Sequence, residues 1–482
     1  MGNGRAYQIL MAVASATGSL SLGLLYVWPS YTLPMLAASN GTILDAPLTT
    51  TEEAMLGALP SLGALVGSAL VGMAINTFGR KMANILTTLL YMISWTMIGF
   101  TRSITVVLIA RFLGGVAGGL TCVITPVYIS EVAEDHIRGI LASFIVVFYQ
   151  IGTLISYFIG WYCSYHAIVW INLAIPIVRI LMFLCVPESP VFLIKKNRVE
   201  AARHAISVYR GVSPNSATVD RELSKIKEEL CSSMPLDLIK DNGDDAEKMQ
   251  LNSEDYSYKD TFKPNRLAAL KMLCKSPSSR RAFIVVFISF SMEILMGAAP
   301  VAVYAKQVFV EADPTRGDMW SVVFAVMSLL GTMLSGVVSD RAGRRPLLII
   351  ASLVVSICLL ALGVLLQTKV APAWVGVLVL MTLCFCFMAG PGTIPYVLMS
   401  EIFCPEVQTL ASMLIIEWVW LLAFFTLAVF HWLNRLIGIH ATFYIFTFNS
   451  LFNVAFSYYM IPETKGLSNK EIQIALLKGR SK

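Results

Sequence analysis

The sequence predicts an all-α membrane protein with twelve transmembrane helices arranged as two six-helix repeats. Three observations predict it. Of 482 residues, 56% are hydrophobic and only 14% charged, and the mean hydropathy is +0.71, outside the range of a soluble globule. The apolar residues gather into runs long enough to cross a hydrocarbon core of roughly 30 Å. The charged turns between those runs recur in the same order in each half of the chain.

A short polar tail with Arg5 leads into a first span from about Gln8 to Pro34. A cleavable leader is the competing reading, because Ala37 and Ala38 follow the run. The length of the run, and Trp28, Pro29 and Pro34 within it, favour a retained helix. The polar stretch 38–53 holds Asn40-Gly41-Thr42, a sequon for N-linked glycan. Five more spans are expected near Ala54–Asn76, Ala83–Phe100, Ile104–Val127, Gly139–Cys163 and Ala167–Val186, completing an N-terminal bundle over residues 1–187.

Residues 188–281 are hydrophilic and read as a linker, with amphipathic helices at Val199–Tyr209 and Val219–Leu230 and an acidic run from Asp241 to Asp245. A C-terminal bundle over 282–461 carries spans near Ala282–Tyr304, Met319–Val338, Pro346–Leu366, Ala373–Met399, Leu410–His431 and Ala441–Ile461. Residues 462–482 form a tail. Alternation of sides groups Arg80, Lys81, Arg138, Lys195, Arg280, Arg281, Arg344 and Arg345 against Arg102, Lys306, Arg316, Lys369 and Arg435. The richer group is expected in the cytoplasm with both termini, which puts Asn40 outside. The plasma membrane is the expected location.

Several functions are excluded. The net charge of +6 is spread over loops and tails, with no basic-aromatic stripe for nucleic acid. Nine cysteines, an odd count without a CxxC pair, suggest neither a disulfide framework nor a zinc site; Cys384 and Cys386 read as packing residues. No phosphate loop, nucleophile triad or metal-spaced cluster is present, so no catalytic residue, cofactor or metal is expected and the chain reads as a non-enzyme.

The most informative stretch is RFLGGVAGGLTCVITPVYISEVAEDHIRG, Arg111 to Gly139. Gly114, Gly115, Gly118 and Gly119 have the spacing that lets two helix backbones approach closely, for static packing or for sliding. Glu131 and Arg138 follow about two helical turns apart at the end of the apolar run, as an ion pair on one face of the bilayer. Phe78-Gly79-Arg80-Lys81 recurs as Ala342-Gly343-Arg344-Arg345, Ser130-Glu131 as Ser400-Glu401, and Pro187-Glu188-Ser189 as Pro462-Glu463-Thr464. Such charges can pair when the halves close on that side and part when they open. Arg80, Lys81, Glu131, Arg138, Glu188, Asp340, Arg344, Arg345, Glu401 and Glu463 are the gating candidates. Each exposed pair contributes about 0–1 kcal/mol, so only a network biases the equilibrium. Topology alone accounts for the bases but not for the repeated acids.

PVYISEVAEDHIRG, DRAGRRPLL, PESP, GPGTIPY, SEIF and PETKG resemble the signatures of sugar porters of the major facilitator superfamily, over nearly the whole chain. Gly23, Trp28, Pro29, Ser30 and Pro34 are similar to the facilitative trehalose transporter group. The resemblance implies a major facilitator fold and facilitated diffusion of a sugar by alternating access, by a monomer. The first-helix aspartate of proton-coupled sugar porters is missing.

Departures from the family pattern concern substrate and latch. Glu134 stands for a proline, and Glu293, Ile294 and Ala299 stand for three sugar-binding amides beside a retained Gly297. Val146 replaces a glutamine, with Gln150 one turn further on; Thr393 and Tyr396 replace proline and tryptophan; Val419 replaces an asparagine before Trp420. Asn76 and Gln408 replace an acid and an arginine of the latch motifs. Gln150, Glu293, Gly297, Thr393, Tyr396 and Trp420 are the substrate-binding candidates, with Trp420 equally readable as packing. A sugar requires several fixed donors and acceptors, so the lost amides weaken an ordinary hexose reading.

Glu293 lies about 16 Å into its span, where a carboxylate requires water, a cation or a proton. Glu417 is a second intramembrane acid. Arg111 and Arg179 either snorkel to an interface or serve function; Asn449 and Asn453 read as helix glue. Three functions stay open: a facilitative sugar carrier, a proton-coupled carrier of another solute such as a polyol or small cation, and a non-transporting sugar sensor.

Overall fold

The structure, a computed structural model, describes residues 2–37, 43–232, 275–297, 316–368, 372–403 and 405–465, with isolated positions between them. Asn40, the acidic run at 241–245, Ala299 and Tyr304 lie outside the described residues. The described elements are all helical. The first half comprises α1 (Gly2–Ala37), α2 (Thr50–Phe78), α3 (Arg80–Phe100), α4 (Ile104–Val132), α5 (Asp135–Tyr162) and α6 (Tyr165–Leu184). Three short helices follow: α7 (Pro190–Lys195), α8 (Val199–Arg210) and α9 (Ala217–Ser232). The second half comprises α10 (Pro277–Leu295), α11 (Gly317–Ala342), α12 (Arg344–Thr368), α13 (Ala373–Ala389) with α14 (Ile394–Ile402), α15 (Pro405–Ile437) and α16 (Ile439–Met460).

Ten spans among the described residues are long and apolar enough to cross a membrane. Two more complete twelve: α10, with Arg280, Arg281 and Glu293, and α16, with His440, Asn449 and Asn453, are more polar. Two expected spans are broken. The seventh stops at Leu295, helical residues return at Pro300 and Val301, and between them Gly297 adopts φ +81°, where an L side chain is strained. The tenth is interrupted between Ala389 and Ile394, where Gly390, Pro391 and Gly392 supply no continuous helical backbone.

Glycines set the closest approaches. A Cβ on Gly115 would lie 2.2 Å from the Pro60 carbonyl oxygen, and one on Gly119 would lie 2.1 Å from that of Ala64, so α2 and α4 touch backbone to backbone. Gly114 and Gly118 face the side chains of Leu25 and Leu22 in α1. Gly114 also faces Ser94 and Gly118 the Tyr91 hydroxyl of α3, so the four glycines serve three neighbours.

Arg111 and Arg179 are fully buried, which rules out snorkelling. Pro29 and Pro60 lack the N–H that would bond the carbonyls four residues earlier, those of Leu25 and Leu56. Arg111 donates from Nη1 to Leu25 and from Nε to Leu56 at 3.1 Å, and its guanidinium lies over Trp28 at 5.3 Å. One side chain from α4 thus satisfies proline-freed carbonyls in both α1 and α2. Arg179 donates to the Ala14 carbonyl at 3.1 Å and to Asn84 Oδ1 at 2.7 Å, tying α6 to α1 and α3.

In the second half Asn453 Nδ2 donates to Ser352 Oγ at 3.0 Å and Asn449 Nδ2 to the Leu295 carbonyl at 3.0 Å, both as helix glue. At the end of the bundle that carries Arg80, Arg344 and the start of α1, here the motif end, α8 docks on the first half. Gln8 Nε2 donates to the Tyr209 carbonyl at 2.8 Å, and Arg210 Nη1 to that of Val132 at 3.0 Å. Apolar cores follow the same polarity. At the far end one core takes Trp28, Tyr157 and Ile168 from the first half together with Phe324, Leu359 and Phe446 from the second. At the motif end each half has its own: Met11, Tyr128 and Phe183 in one, Phe290, Leu398 and Ile415 in the other.

Candidate substrate site

The two helix breaks shape the middle of the bundle. The Leu295 carbonyl at the end of α10 is taken by Asn449, and Thr393 Oγ1 donates to the Met388 carbonyl at 2.6 Å, so both chain ends are satisfied without continuing the helix. Tyr396, in the first turn of α14, packs edge-on against Phe290 at 4.7 Å. It lies within electrostatic reach of Glu293 and, from the other half, of Tyr26, Cys122 and Tyr149. Tyr396 is nevertheless 43% exposed, with groups of both halves around it, so the space beside it is a gap between the halves. Tyr26 stacks on Trp420 of α15 at 6.1 Å, and its hydroxyl is 3.0 Å from Ser61 Oγ.

Polar atoms in this region lack partners. Among the described residues Glu293 Oε2, Glu417 Oε1 and Trp420 Nε1 are buried without a hydrogen bond. Glu417 lies against Ser68 of α2. Unmet buried acceptors and a donor at one depth are what a hydroxylated ligand satisfies.

The sequence-derived candidates divide. Glu293, Tyr396 and Trp420 contribute to this constellation. Gln150 is buried and donates across the halves, to Thr332 Oγ1 at 3.4 Å and Met388 Sδ at 3.3 Å. Gly297 and Thr393 act at the helix breaks: a Cβ on Gly297 would lie 2.3 Å from Phe446, and the Thr393 hydroxyl is already engaged. Tyr26, Cys122 and Tyr149 were missed. The signal for them was a tyrosine within each of two glycine-bearing helices that touch: a Cβ on Gly23 would lie 2.3 Å from the Tyr149 carbonyl oxygen.

The charged motifs form two clusters of the same design, each inside one half. In the first, Arg80 Nη2 meets Glu131 Oε1 at 2.6 Å, and Ser189 Oγ donates to Glu131 at 2.5 Å. Glu188 accepts the backbone N–H groups of Arg80 at 2.9 Å and Lys81 at 3.0 Å. Gly79, at φ +91°, has no side chain to cap α3, so Glu188 caps it from elsewhere in the chain. Burial pushes the Glu188 carboxyl above its ordinary range, against the opposing backbone N–H donors of Ser189, Lys81 and Arg80.

In the second cluster Arg344 meets Glu401 at 2.8 Å and Asp340 at 3.0 Å, Thr464 Oγ1 donates to Glu401 at 2.6 Å, and Glu463 accepts the N–H groups of Arg344 and Arg345. The guanidinium of Arg345 donates to the Tyr458 carbonyl at 2.6 Å. The expected Glu131–Arg138 pairing gives way to Glu131–Arg80. The chain leaves the helix at Ala133 and Glu134, and Arg138 Nη2 turns to the Ala133 carbonyl at 3.3 Å. Glu134, the acid in place of proline, lies 3.9 Å from Arg210 and 3.5 Å from His136.

The model of the Sugar (and other) transporter family matches residues 10–476. The chain belongs to that family. The facilitated trehalose transporter Tret1 of Polypedilum vanderplanki is 27% identical over 474 residues, covering 97% of this chain and 87% of the relative. The protein of the same name from Aedes aegypti is 26% identical, and the chain spans 54% of its length. Among solved structures, the inward-open xylose transporter XylE from E. coli superposes with a TM-score of 0.74 at 21% identity, covering 96% of this chain and 98% of that one. The fold is therefore the twelve-helix fold of the major facilitators. This multi-pass membrane protein is a transporter of the sugar family and not an enzyme.

Proposed function

We propose that this transporter carries a sugar of the trehalose or hexose class by facilitated diffusion, alternating access to one mid-bundle site. The observation that carries the reading is the gap between the halves, with Tyr26 and Tyr149 on one wall and Glu293, Tyr396 and Trp420 on the other. Among the described residues an apolar core joins both halves at the far end and each half keeps its own at the motif end, so the site opens toward the motif end in the conformation described. The names of the relatives from Polypedilum vanderplanki and Aedes aegypti support trehalose as the first solute to test.

The chain acts as a monomer in the plasma membrane, with the motif end, both termini and the linker 188–281 in the cytoplasm and Asn40 glycosylated outside. Charge asymmetry of the turns supports this orientation. The bundles are 1–187 and 282–461, with a tail at 462–482. In the transport cycle Arg80, Lys81, Glu131, Arg138 and Glu188 face Asp340, Arg344, Arg345, Glu401 and Glu463 when the motif end closes. The clusters keep each set of turns rigid, so each half moves as one body.

The test is counterflow of labelled trehalose and glucose in proteoliposomes, with and without an inward proton gradient. Entry should saturate, equilibrate and ignore the gradient. Accumulation that follows the gradient overturns facilitated diffusion, and the absence of saturable entry of any neutral sugar overturns the sugar reading. In intact cells, external trypsin should spare the linker and removal of N-glycan should shift the mass; cleavage in the linker reverses the orientation.

A further inference from the structure

We propose that the mid-bundle site is built for a hydroxylated solute bearing a protonated amine, an amino sugar or amino polyol, with the Glu293 carboxylate as its counter-ion. The inference rests on the reading of this gap as the substrate site and adds the charge of the substrate.

Glu293 sits in the last turn of α10, and its Oε2 is buried with no hydrogen-bond partner among the described residues. Among the described residues no cationic side chain is placed against it, nor against the second intramembrane acid, Glu417, whereas acids at the motif end have theirs: Glu131 meets Arg80, Glu222 meets Arg210, and Glu401 meets Arg344. Of the buried cations among the described residues, Arg80 meets Glu131, and Arg111 and Arg179 are directed to carbonyls and Asn84 inside the first half. A carboxylate in the membrane interior is stable only with water, a proton or a cation, and an unpaired one costs several kcal/mol. Among the described residues the protein supplies no cation to Glu293, so a cationic solute is a partner that completes the site.

The surroundings suit such a solute. The rings of Tyr26, Tyr149, Tyr396 and Trp420 come from four helices of both halves, and aromatic faces attract ammonium groups as well as the C–H faces of a sugar ring. The orphaned Trp420 Nε1–H is a donor for a hydroxyl oxygen. At the neighbouring position Ile294 has no polar group, so the donors that would read a neutral sugar's oxygens are few while the acceptor for an ammonium is in place. In the competing arrangement Glu293 is protonated and acts as a neutral donor and acceptor; a charged amine then gains nothing over a hydroxyl.

The deciding measurement compares D-glucosamine, charged at neutral pH, with N-acetyl-D-glucosamine and D-glucose as competitors of counterflow in proteoliposomes holding the full chain. Glucosamine should half-saturate at about 10- to 100-fold lower concentration than either neutral sugar, the ratio a charge-assisted hydrogen bond gives. Glu293→Gln should bring that ratio to near one, and Glu293→Asp should keep glucosamine ahead. Equal competition by charged and neutral sugars in the wild type overturns the proposal without need of any variant, as does a preference that survives Glu293→Gln. If neutral sugars move and glucosamine has no advantage, the facilitative sugar reading stands and this one falls. If glucosamine moves and neutral sugars do not, the reverse holds.

Discussion

Arg111 is joined to two prolines through the carbonyls they leave without a donor. Its Nε and Nη1 reach Leu56 and Leu25, each four residues before a proline, and no acid shares the site among the described residues. Helix carbonyls next to a guanidinium are strong acceptors, so a charge that is costly in hydrocarbon is offset by two charge-assisted bonds. Arg111→Met should cost about 3 kcal/mol or more, since two buried carbonyls lose a charge-assisted donor. Pro29→Ala with Pro60→Ala returns an N–H to each carbonyl. In that background the cost of Arg111→Met should shrink by about 1–3 kcal/mol, a coupling read from thermal unfolding of the purified protein in detergent. Equal costs in both backgrounds would show that Arg111 is held by something other than the proline-freed carbonyls.

Between α2 and α4 the glycines are structural contacts. The Gly119 position leaves 2.1 Å between an added Cβ and the Ala64 carbonyl oxygen, and the atom in the way is backbone, which cannot swing aside. Gly336 in α11 has nothing within 4 Å of its added Cβ. Gly119→Ala should therefore destabilise by about 2 kcal/mol or more, by forcing the helices apart. Gly336→Ala should be neutral or raise stability by about 0.5–1 kcal/mol through helix propensity. Melting temperatures of the two variants in the same detergent check the pair, and a Gly119→Ala protein as stable as Gly336→Ala contradicts the contact. The same logic separates the two broken spans from the ten others. Gly297 is fixed by φ +81° and by Phe446, so the break in the seventh span is a packing decision of α16 as much as a property of α10.

Across the whole molecule, the balance between the two open states depends on what the motif end presents when it closes. Gln408 occupies the place of a latch arginine and donates weakly to the Ser400 carbonyl at 3.3 Å, and Asn76 is an exposed amide in the place of an acid. With fewer charges to meet, closure of the motif end should be weak, in keeping with the described buried residues, which share an apolar core between the halves at the far end. Gln408→Arg should shift the population toward the state open at the far end. Its signature is slower labelling, by about threefold or more, of a cysteine introduced in the gap and approached from the motif end, equivalent to roughly 0.6 kcal/mol. Unchanged labelling removes Gln408 from the closing mechanism.

Membrane spans and the internal repeat were legible in the chain itself because they depend on local quantities: the length of an apolar run, the sign of the turns beside it, and the recurrence of Gly79-Arg80 as Gly343-Arg344. The glycine spacing of α4 likewise announced close packing before any neighbour was known. The sequence could not say which groups meet. Glu131 pairs with Arg80, 51 positions away, in preference to Arg138 nearby, because the chain turns at Glu134 and the α2–α3 turn arrives beside it. Arg111 and Arg179 looked free to reach an interface until helices closed around them, and Tyr26 and Tyr149 became walls of a site only when α1 and α5 were laid against the second half. Burial and pairing are sums over distant segments, so a carboxylate such as Glu293 acquires its chemistry from the fold: its position was readable, and that its Oε2 is left unpartnered among the described residues was decided by the tertiary structure alone.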